Sequence, residues 1–110
     1  MRLISLCLFA ALGLSSAAAA DEVDPALHCA ALTVLSGEIL AADGQASNDD
    51  LAVLREISGL MLLHVDLPVN QRSDALRAHA AEVRRTRSDA AIAAEVEAQG
   101  DSCLERFVNQ

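Results

Sequence analysis

The chain contains no tryptophan, no tyrosine and no lysine, and only two of its 110 residues are phenylalanine. Aromatic residues favour strands, whereas the alanine, leucine, glutamate and arginine that are abundant here favour helices. The composition therefore predicts an all-α protein. Arginine supplies all eight positive charges against sixteen acids, which gives a formal charge of −8. This charge argues against nucleic acid and against anionic membrane surfaces as partners.

Residues 1–20 have the pattern of a cleavable signal peptide. Arg2 precedes a mostly apolar stretch over residues 3–14, and a run of small residues ends at Ala20. A helix of that length reaches about 18 Å, less than the roughly 30 Å of the hydrocarbon core, so the stretch is too short for a membrane anchor. Cleavage after Ala20 would leave one domain, residues 21–110, exported to the periplasm or the medium without membrane insertion.

The chain has few cysteines, and their positions predict one disulfide. Cys7 lies within the signal peptide, which leaves Cys29 and Cys103. An exported compartment permits disulfides, and two cysteines allow a single pairing. We therefore expect a Cys29–Cys103 disulfide, with two free thiols or an intermolecular bridge as the alternatives. Closing a loop of about 75 residues stabilises the fold by about 4.5 kcal/mol in the chain-entropy description.

Capping signals and apolar periodicity divide the remaining chain into a small bundle of four to five helices. The first helix begins at Asp24, which precedes a proline, and ends near Ala42. Ser47 and Asp50 have the spacing of a capping box and open the second helix, which is expected to end before Pro68. This second helix has the most apolar face and is predicted to be the centre of the bundle. Its face consists of Leu51, Leu54, Ile57, Leu60, Met61 and Val65.

The apolar pattern changes side in the second half of the chain. A third helix is predicted over about residues 71–87, with a break near Ser88 because the apolar residues beyond it fall on the opposite face. A fourth helix follows and is expected to end at Gly100. Ser102 and Glu105 then resemble a capping box that opens a short fifth helix. The predicted disulfide would join the first helix to this last one.

His28, Met61 and His64 are the candidates for metal or haem ligation. Met61 and His64 are three residues apart on the predicted second helix, and His28 lies on the apolar face of the first. Imidazole and thioether groups bind haem iron and copper. However, the chain has no C-x-x-C-H motif and no histidine-rich or methionine-rich tract. We therefore expect these three side chains to serve packing and hydrogen bonding, and predict neither a metal nor a cofactor.

No catalytic motif is recognisable. His28 and Cys29 are adjacent, but consecutive side chains on a helix diverge by about 100°, and a disulfide-bonded cysteine is not a nucleophile. The carboxylates show no metal-binding spacing, and no glycine-rich phosphate loop is present. We therefore predict a protein that is not an enzyme, with no catalytic residue.

One basic patch stands out in this acidic chain. Acids are interleaved with its arginines, which is typical of a solvent-exposed face with salt bridges; an anionic ligand is the alternative. The patch consists of Arg77, Arg84, Arg85 and Arg87.

The sequence thus predicts a small exported helical protein with a protein-binding or accessory role, its partner being another envelope protein. Three alternatives remain open: an acid-responsive periplasmic chaperone, an acidic inhibitor or immunity protein against a basic hydrolase, and a haem- or metal-binding bundle. Charge would steer association in the second case. In outline the chain resembles small exported helical proteins of proteobacteria, an outline that the acid-stress periplasmic chaperones share, and no residue roles follow from it.

Overall fold

A computed structural model describes residues 23–109, so the predicted signal peptide and its cleavage site lie outside the described residues. Within this range the chain forms four helices and no strand, which confirms the all-α prediction. The helices are α1 (Pro25–Ala42), α2 (Asn48–Leu62), α3 (Val69–Thr86) and α4 (Asp89–Phe107).

The side chain of Asp24 caps the start of α1, and Gly44 follows the end of the helix. Asp24 accepts a hydrogen bond from the backbone N–H of Ala26 at 2.8 Å, and Pro25 occupies the first helical position, where no N–H is needed. The second carboxylate oxygen of Asp24 accepts the N–H of Asp66 at 3.0 Å, which ties the start of α1 to the α2–α3 connection. After the helix, Gly44 adopts a φ of 70°, a conformation that other residues rarely take.

The predicted capping box of α2 is also present, and α4 begins with a side-chain cap at the predicted break. The N–H of Asp50 donates to the Ser47 hydroxyl at 3.1 Å, and the N–H of Ser47 donates to the Asp50 carboxylate at 3.0 Å, completing the capping box. Ser88 accepts the N–H of Ala91 at 3.1 Å. The break between the third and fourth helices therefore lies where the change of apolar face placed it.

Helix α2 is shorter than predicted. It ends at Leu62, and the following residues form tight turns in which the N–H of His64 donates to the carbonyl of Met61 at 3.0 Å. These turns, closed by hydrogen bonds between residues three positions apart, end the helix well before Pro68. Met61 and His64 are therefore not on one face of one helix, as the spacing suggested.

Helix α4 is continuous from residue 89 to residue 107, so the prediction of a separate fifth helix is wrong. Gly100 does not end it, and Ser102 lies inside it. A glycine in a helix interior costs about 1 kcal/mol relative to alanine, which tertiary contacts can offset. Here Ile92 on one side of Gly100 and Cys103 on the other are both buried against the rest of the fold.

The central helix is α1, not α2 as predicted. All three other helices pack on α1, whereas α2 buries only Ser58 and Met61. A helix that is apolar on every side is the surrounded one, and a helix with a single stripe lies at the edge. By length and mean hydropathy α1 also resembles a membrane span; packing on three sides accounts for that composition here. Its buried residues are Ala26, Cys29, Ala30, Ala31, Leu32, Leu35 and Gly37.

The Cys29–Cys103 disulfide is present and joins the first helix to the last, with the two Cα atoms 5.6 Å apart. It belongs to a buried cluster with Ala30 and Met61 at one end of α1. A second cluster fills the space between α1, α3 and α4 and consists of Leu32, Leu35, Val83 and Ile92.

Candidate functional sites

A groove runs along α1 between α2 and α4. These two helices pack on α1 but their backbones stay apart, so a strip of α1 forms the floor of an open cleft. Next to the disulfide the cleft has a volume of about 140 Å³. Its floor is Cys29, Leu32, Thr33 and Ser36, and its walls are Leu54, Ile57 and Met61 of α2 and Val96, Gly100, Cys103 and Leu104 of α4.

The cleft continues toward the other end of α1. A second cavity of about 210 Å³ between α1 and α4 shares Ser36 and Val96 with the first and extends to Leu40. We call the two together the α2/α4 groove. From Cys29 to Leu40 it is about 16 Å long at the helical rise of 1.5 Å per residue.

The two rims of the groove differ in chemistry. On α2, Val53 is 54% exposed and Leu60 is 40% exposed, and both lie within one turn of the wall residue Ile57. On α4, Glu97 lines the groove, and the exposed Asp101 follows one turn later. The groove therefore has a floor in which apolar residues alternate with Thr33 and Ser36, an apolar rim on α2 and an acidic rim on α4.

A second polar arrangement lies on the other side of α1, between α3 and α4. Nδ1 of His28 is 2.8 Å from Nε2 of His79, and Nε2 of His28 is 2.7 Å from Oε2 of Glu95. The other oxygen of Glu95 pairs with the guanidinium of Arg87. We call these four side chains the histidine cluster. They connect α1, α3 and α4 through side chains alone.

Hydrogen-bond chemistry limits where the protons of the cluster lie. An ionised Glu95 carboxylate only accepts, so Nε2 of His28 carries a hydrogen. If His28 is neutral, its Nδ1 accepts from the Nε2–H of His79; if His28 is protonated, it donates to His79. In both cases one proton lies between the two rings. When both rings are protonated, each of the two facing nitrogens carries a hydrogen, so this hydrogen bond is lost and two imidazolium cations are in contact.

Burial and positive neighbours disfavour these charges. Burial lowers the pKa of His28, and the nearby Arg87 guanidinium lowers it further. Burial also lowers the pKa of His79, as do His28 and Arg87, while Glu82 opposes them. Glu95 would favour a proton on His28, but Arg87 pairs with the same carboxylate and offsets that effect. The cluster therefore disfavours the state in which His28 and His79 are both protonated.

The three ligand candidates from the sequence lie in different surroundings. His28 belongs to the histidine cluster, with its side chain 20% exposed. Met61 is buried beside the disulfide, where the Thr33 hydroxyl lies 3.5 Å from its sulfur. His64 is exposed, and its ring lies 5.5 Å from that of Phe107. Within residues 23–109 no group of three or more His, Cys, Asp or Glu side chains is arranged to hold a metal ion.

Sequence reasoning missed His79 and Glu95. Both lie beside apolar stripes: His79 is three residues after Leu76 on α3, and Glu95 is three residues after Ile92 on α4. The available signal was that each of these polar residues lies at the edge of an apolar stripe, where it could meet a histidine of another helix. Periodicity alone does not tell which helices meet, so the pairing became visible only in the fold.

The basic patch forms the salt bridges that its interleaved acids predicted. Arg77 pairs with Asp74, and Arg85 binds Glu82 at 2.6 Å, both on the exposed face of α3. Arg87 departs from that pattern, because its guanidinium pairs with Glu95 in the histidine cluster.

The comparisons with known proteins add no further assignment: no protein-family model, no curated protein and no solved structure matches the chain.

Proposed function

We infer that this is an exported, non-enzymatic binding protein that holds part of another envelope protein in the α2/α4 groove. The observation that carries the proposal is the open cleft beside the disulfide. α2 and α4 both pack on α1, but they do not close over the strip between them, and most of the side chains that line this cleft are apolar. Covering apolar surface is favourable by about 25 cal/mol per Å², so a matching partner surface would gain free energy there.

The floor of the groove suits an apolar contact. The Thr33 hydroxyl donates to the carbonyl of Cys29 at 2.9 Å, so its polar atom is already satisfied and its methyl group remains for packing. The disulfide fixes one end of the groove, because it joins the floor helix to the α4 wall. A preformed surface loses less conformational entropy on binding than a flexible one.

The test is a search for one defined partner. Residues 21–110, oxidised at Cys29 and Cys103, are immobilised and exposed to solubilised envelope proteins at low and moderate salt. Each captured protein is then purified and titrated in solution by calorimetry. We expect at least one that binds saturably and with defined stoichiometry. If no purified envelope protein binds saturably, the proposed function fails.

The histidine cluster favours a second candidate, an acid-responsive chaperone. Protonating both rings would place two cations beside Arg87 and strain the connection of α3 and α4 to α1. Loosening that connection would expose the apolar cluster that includes Leu35 and Ile92. The disulfide would keep the chain ends together during the opening.

This candidate has a direct assay. A client protein that aggregates in acid is held at about pH 5 and about pH 3, below the ordinary histidine and carboxylate values respectively, with and without an equal amount of this protein. We expect less light scattering from the client at both values, and less protection at the higher pH from the His79→Gln variant. Unchanged scattering with the wild-type protein at both pH values would eliminate the chaperone.

A further inference from the structure

We propose that the α2/α4 groove binds a basic, amphipathic segment of the partner, with its apolar side chains facing α1 and its arginines or lysines along the α4 rim. This inference rests on the proposed binding function and specifies the chemistry of the partner. The groove length of about 16 Å corresponds to about eleven residues of helix. Such a helix would cover the strip of α1 between α2 and α4.

The charges of the molecule are divided between its helices. α4 carries five acids and one arginine, and α2 carries three acids and one arginine. α3 has the opposite balance, with four arginines and two acids. Because α2 and α4 form the walls of the groove and α3 packs elsewhere on α1, the groove lies on the acidic side of the molecule. A basic segment would be attracted to this side and repelled from the α3 side.

The acids on the α4 rim are available to a partner. Glu97 and Asp101 are exposed, and within residues 23–109 neither forms an ion pair. The opposite rim offers Val53 and Leu60 instead. A segment in the groove would therefore meet apolar side chains on two of its sides and carboxylates on the third. An acidic segment would place like charges together, and a uniformly apolar one would leave Glu97 without a polar partner.

Gly100 provides a variant that closes the groove without harming the fold. It lies in the α4 wall, and a Cβ at this position would meet no atom within 4 Å. Gly100→Leu would project a side chain into the groove, while its helix propensity should raise stability. Gly59→Leu is the matched control. Gly59 also has no atom within 4 Å of an added Cβ, but it is exposed on α2 outside the groove.

The experiment is a selection from displayed random peptides of about sixteen residues, enough for four helical turns. The library is selected on wild-type residues 21–110 after depletion on Gly100→Leu. We expect the retained peptides to be net positive, with apolar residues recurring every three or four positions. Their affinity should fall at least tenfold on Gly100→Leu and less than twofold on Gly59→Leu. Selection of acidic or neutral peptides, or no enrichment over the depleted variant, would overturn the proposal.

Charge is tested separately with the best selected peptide. Glu97→Gln should weaken its binding about threefold at about 50 mM salt and less at about 300 mM, because salt screens exposed charges. Asp74→Asn removes the same charge from α3 and should leave the affinity unchanged. An equal effect of both variants would show a general charge effect and no recognition by the rim, and would contradict the inference.

Two other occupants of the groove would appear as distinct outcomes. Concentration-dependent dimerisation of the wild-type protein, abolished by Gly100→Leu, would show that a second copy covers the groove. Tighter binding of a synthetic peptide of residues 1–20 than of any selected basic peptide would assign the groove to this chain's own N-terminal segment. Either result would overturn the basic-partner inference. A purified envelope protein that binds Gly100→Leu as tightly as wild type would leave the proposed binding function intact and remove only the groove assignment.

Discussion

Two sides of α1 differ in how the neighbouring helices meet. Between α1, α3 and α4, the large residues Leu35, Val83 and Ile92 form a buried cluster, and the histidine cluster connects the same three helices. We call this the closed side. Toward the α2/α4 groove, large side chains such as Leu54 stand on the walls, but small residues lie among them, with Ser36 on the floor and Gly100 in the wall. Both sides use the same central helix. The difference is that side chains of all three helices meet on the closed side, whereas α2 and α4 leave an open cleft between them.

The largest expected effect is the loss of stability when the Cys29–Cys103 disulfide, at one end of α1, is removed. Replacing Cys29 and Cys103 by alanine should lower the free energy of unfolding by about 2–5 kcal/mol, the usual cost when a small domain loses a native disulfide. The two cysteines are separated by 74 positions, so the cross-link restricts most of the unfolded chain. Urea unfolding measures the change, and amide exchange should increase most in α4 beyond Gly100. A loss below 1 kcal/mol would mean that the contacts of Leu104 and Phe107 hold this end unaided.

The second prediction compares a residue from each side directly. Ile92 on the closed side is fully buried, and its replacement by alanine should cost about 2–4 kcal/mol through lost burial and the cavity that remains. Leu54 lines the groove and is half-buried, so Leu54→Ala should cost about 1 kcal/mol, since solvent already reaches it. Chemical denaturation of both variants gives the comparison. Equal costs would show that α2 and α4 close over the groove in solution.

The closed side should also respond to pH. His28 and His79 have a lowered pKa in the folded chain, so the unfolded chain takes up protons first as the pH falls through their ordinary value of 6.5. Stability from the histidine cluster is thus fully present above this value and is lost as the pH falls toward the folded pKa values. The groups facing the pair are Glu82 from α3, Arg87 directly after α3 and Glu95 from α4.

The measurement is the melting temperature between about pH 7 and about pH 5, above the range in which ordinary carboxylates titrate. We expect the melting temperature of the wild-type protein to fall across this interval. His79→Gln should fall less, because one of the two coupled groups is gone, and His64→Gln, at an exposed site outside the cluster, should follow the wild type. If His79→Gln and wild type fall in parallel, the cluster does not carry the pH response.

Local signals in the sequence predicted where helices begin better than where they end. Asp24 and Ser47 each cap a helix as predicted, because a cap depends on the few residues that follow it. The disulfide was also predicted, since the expected removal of a signal peptide containing Cys7 would leave a single possible pairing. These features need no knowledge of which helices meet.

Features that depend on tertiary packing were not predictable. The stripe on α2 suggested a central helix, yet α1 is central because three partners bury it from different directions. Likewise, His79 and Glu95 gain their role only from meeting His28. Gly100 and Ser102 carry the local signals of a helix end, and contacts on either side of them kept α4 intact. Packing thus overrode local preference at the site that matters most for the groove.

The smallest predicted effect tests that continuity of α4. Gly100→Ala should raise the free energy of unfolding by up to about 1 kcal/mol, because alanine loses less backbone entropy in a helix and its Cβ meets no atom within 4 Å. Gly59→Ala in α2 should give a similar gain for the same reason. At Gly37 an added Cβ would lie 3.1 Å from Leu54, so Gly37→Ala should gain less than half as much. Urea titrations of the three variants measure these changes. A gain in unfolding free energy for Gly59→Ala with none for Gly100→Ala would mean that α4 is broken at Gly100 in solution. The α4 wall of the groove would then be two segments held together by the disulfide.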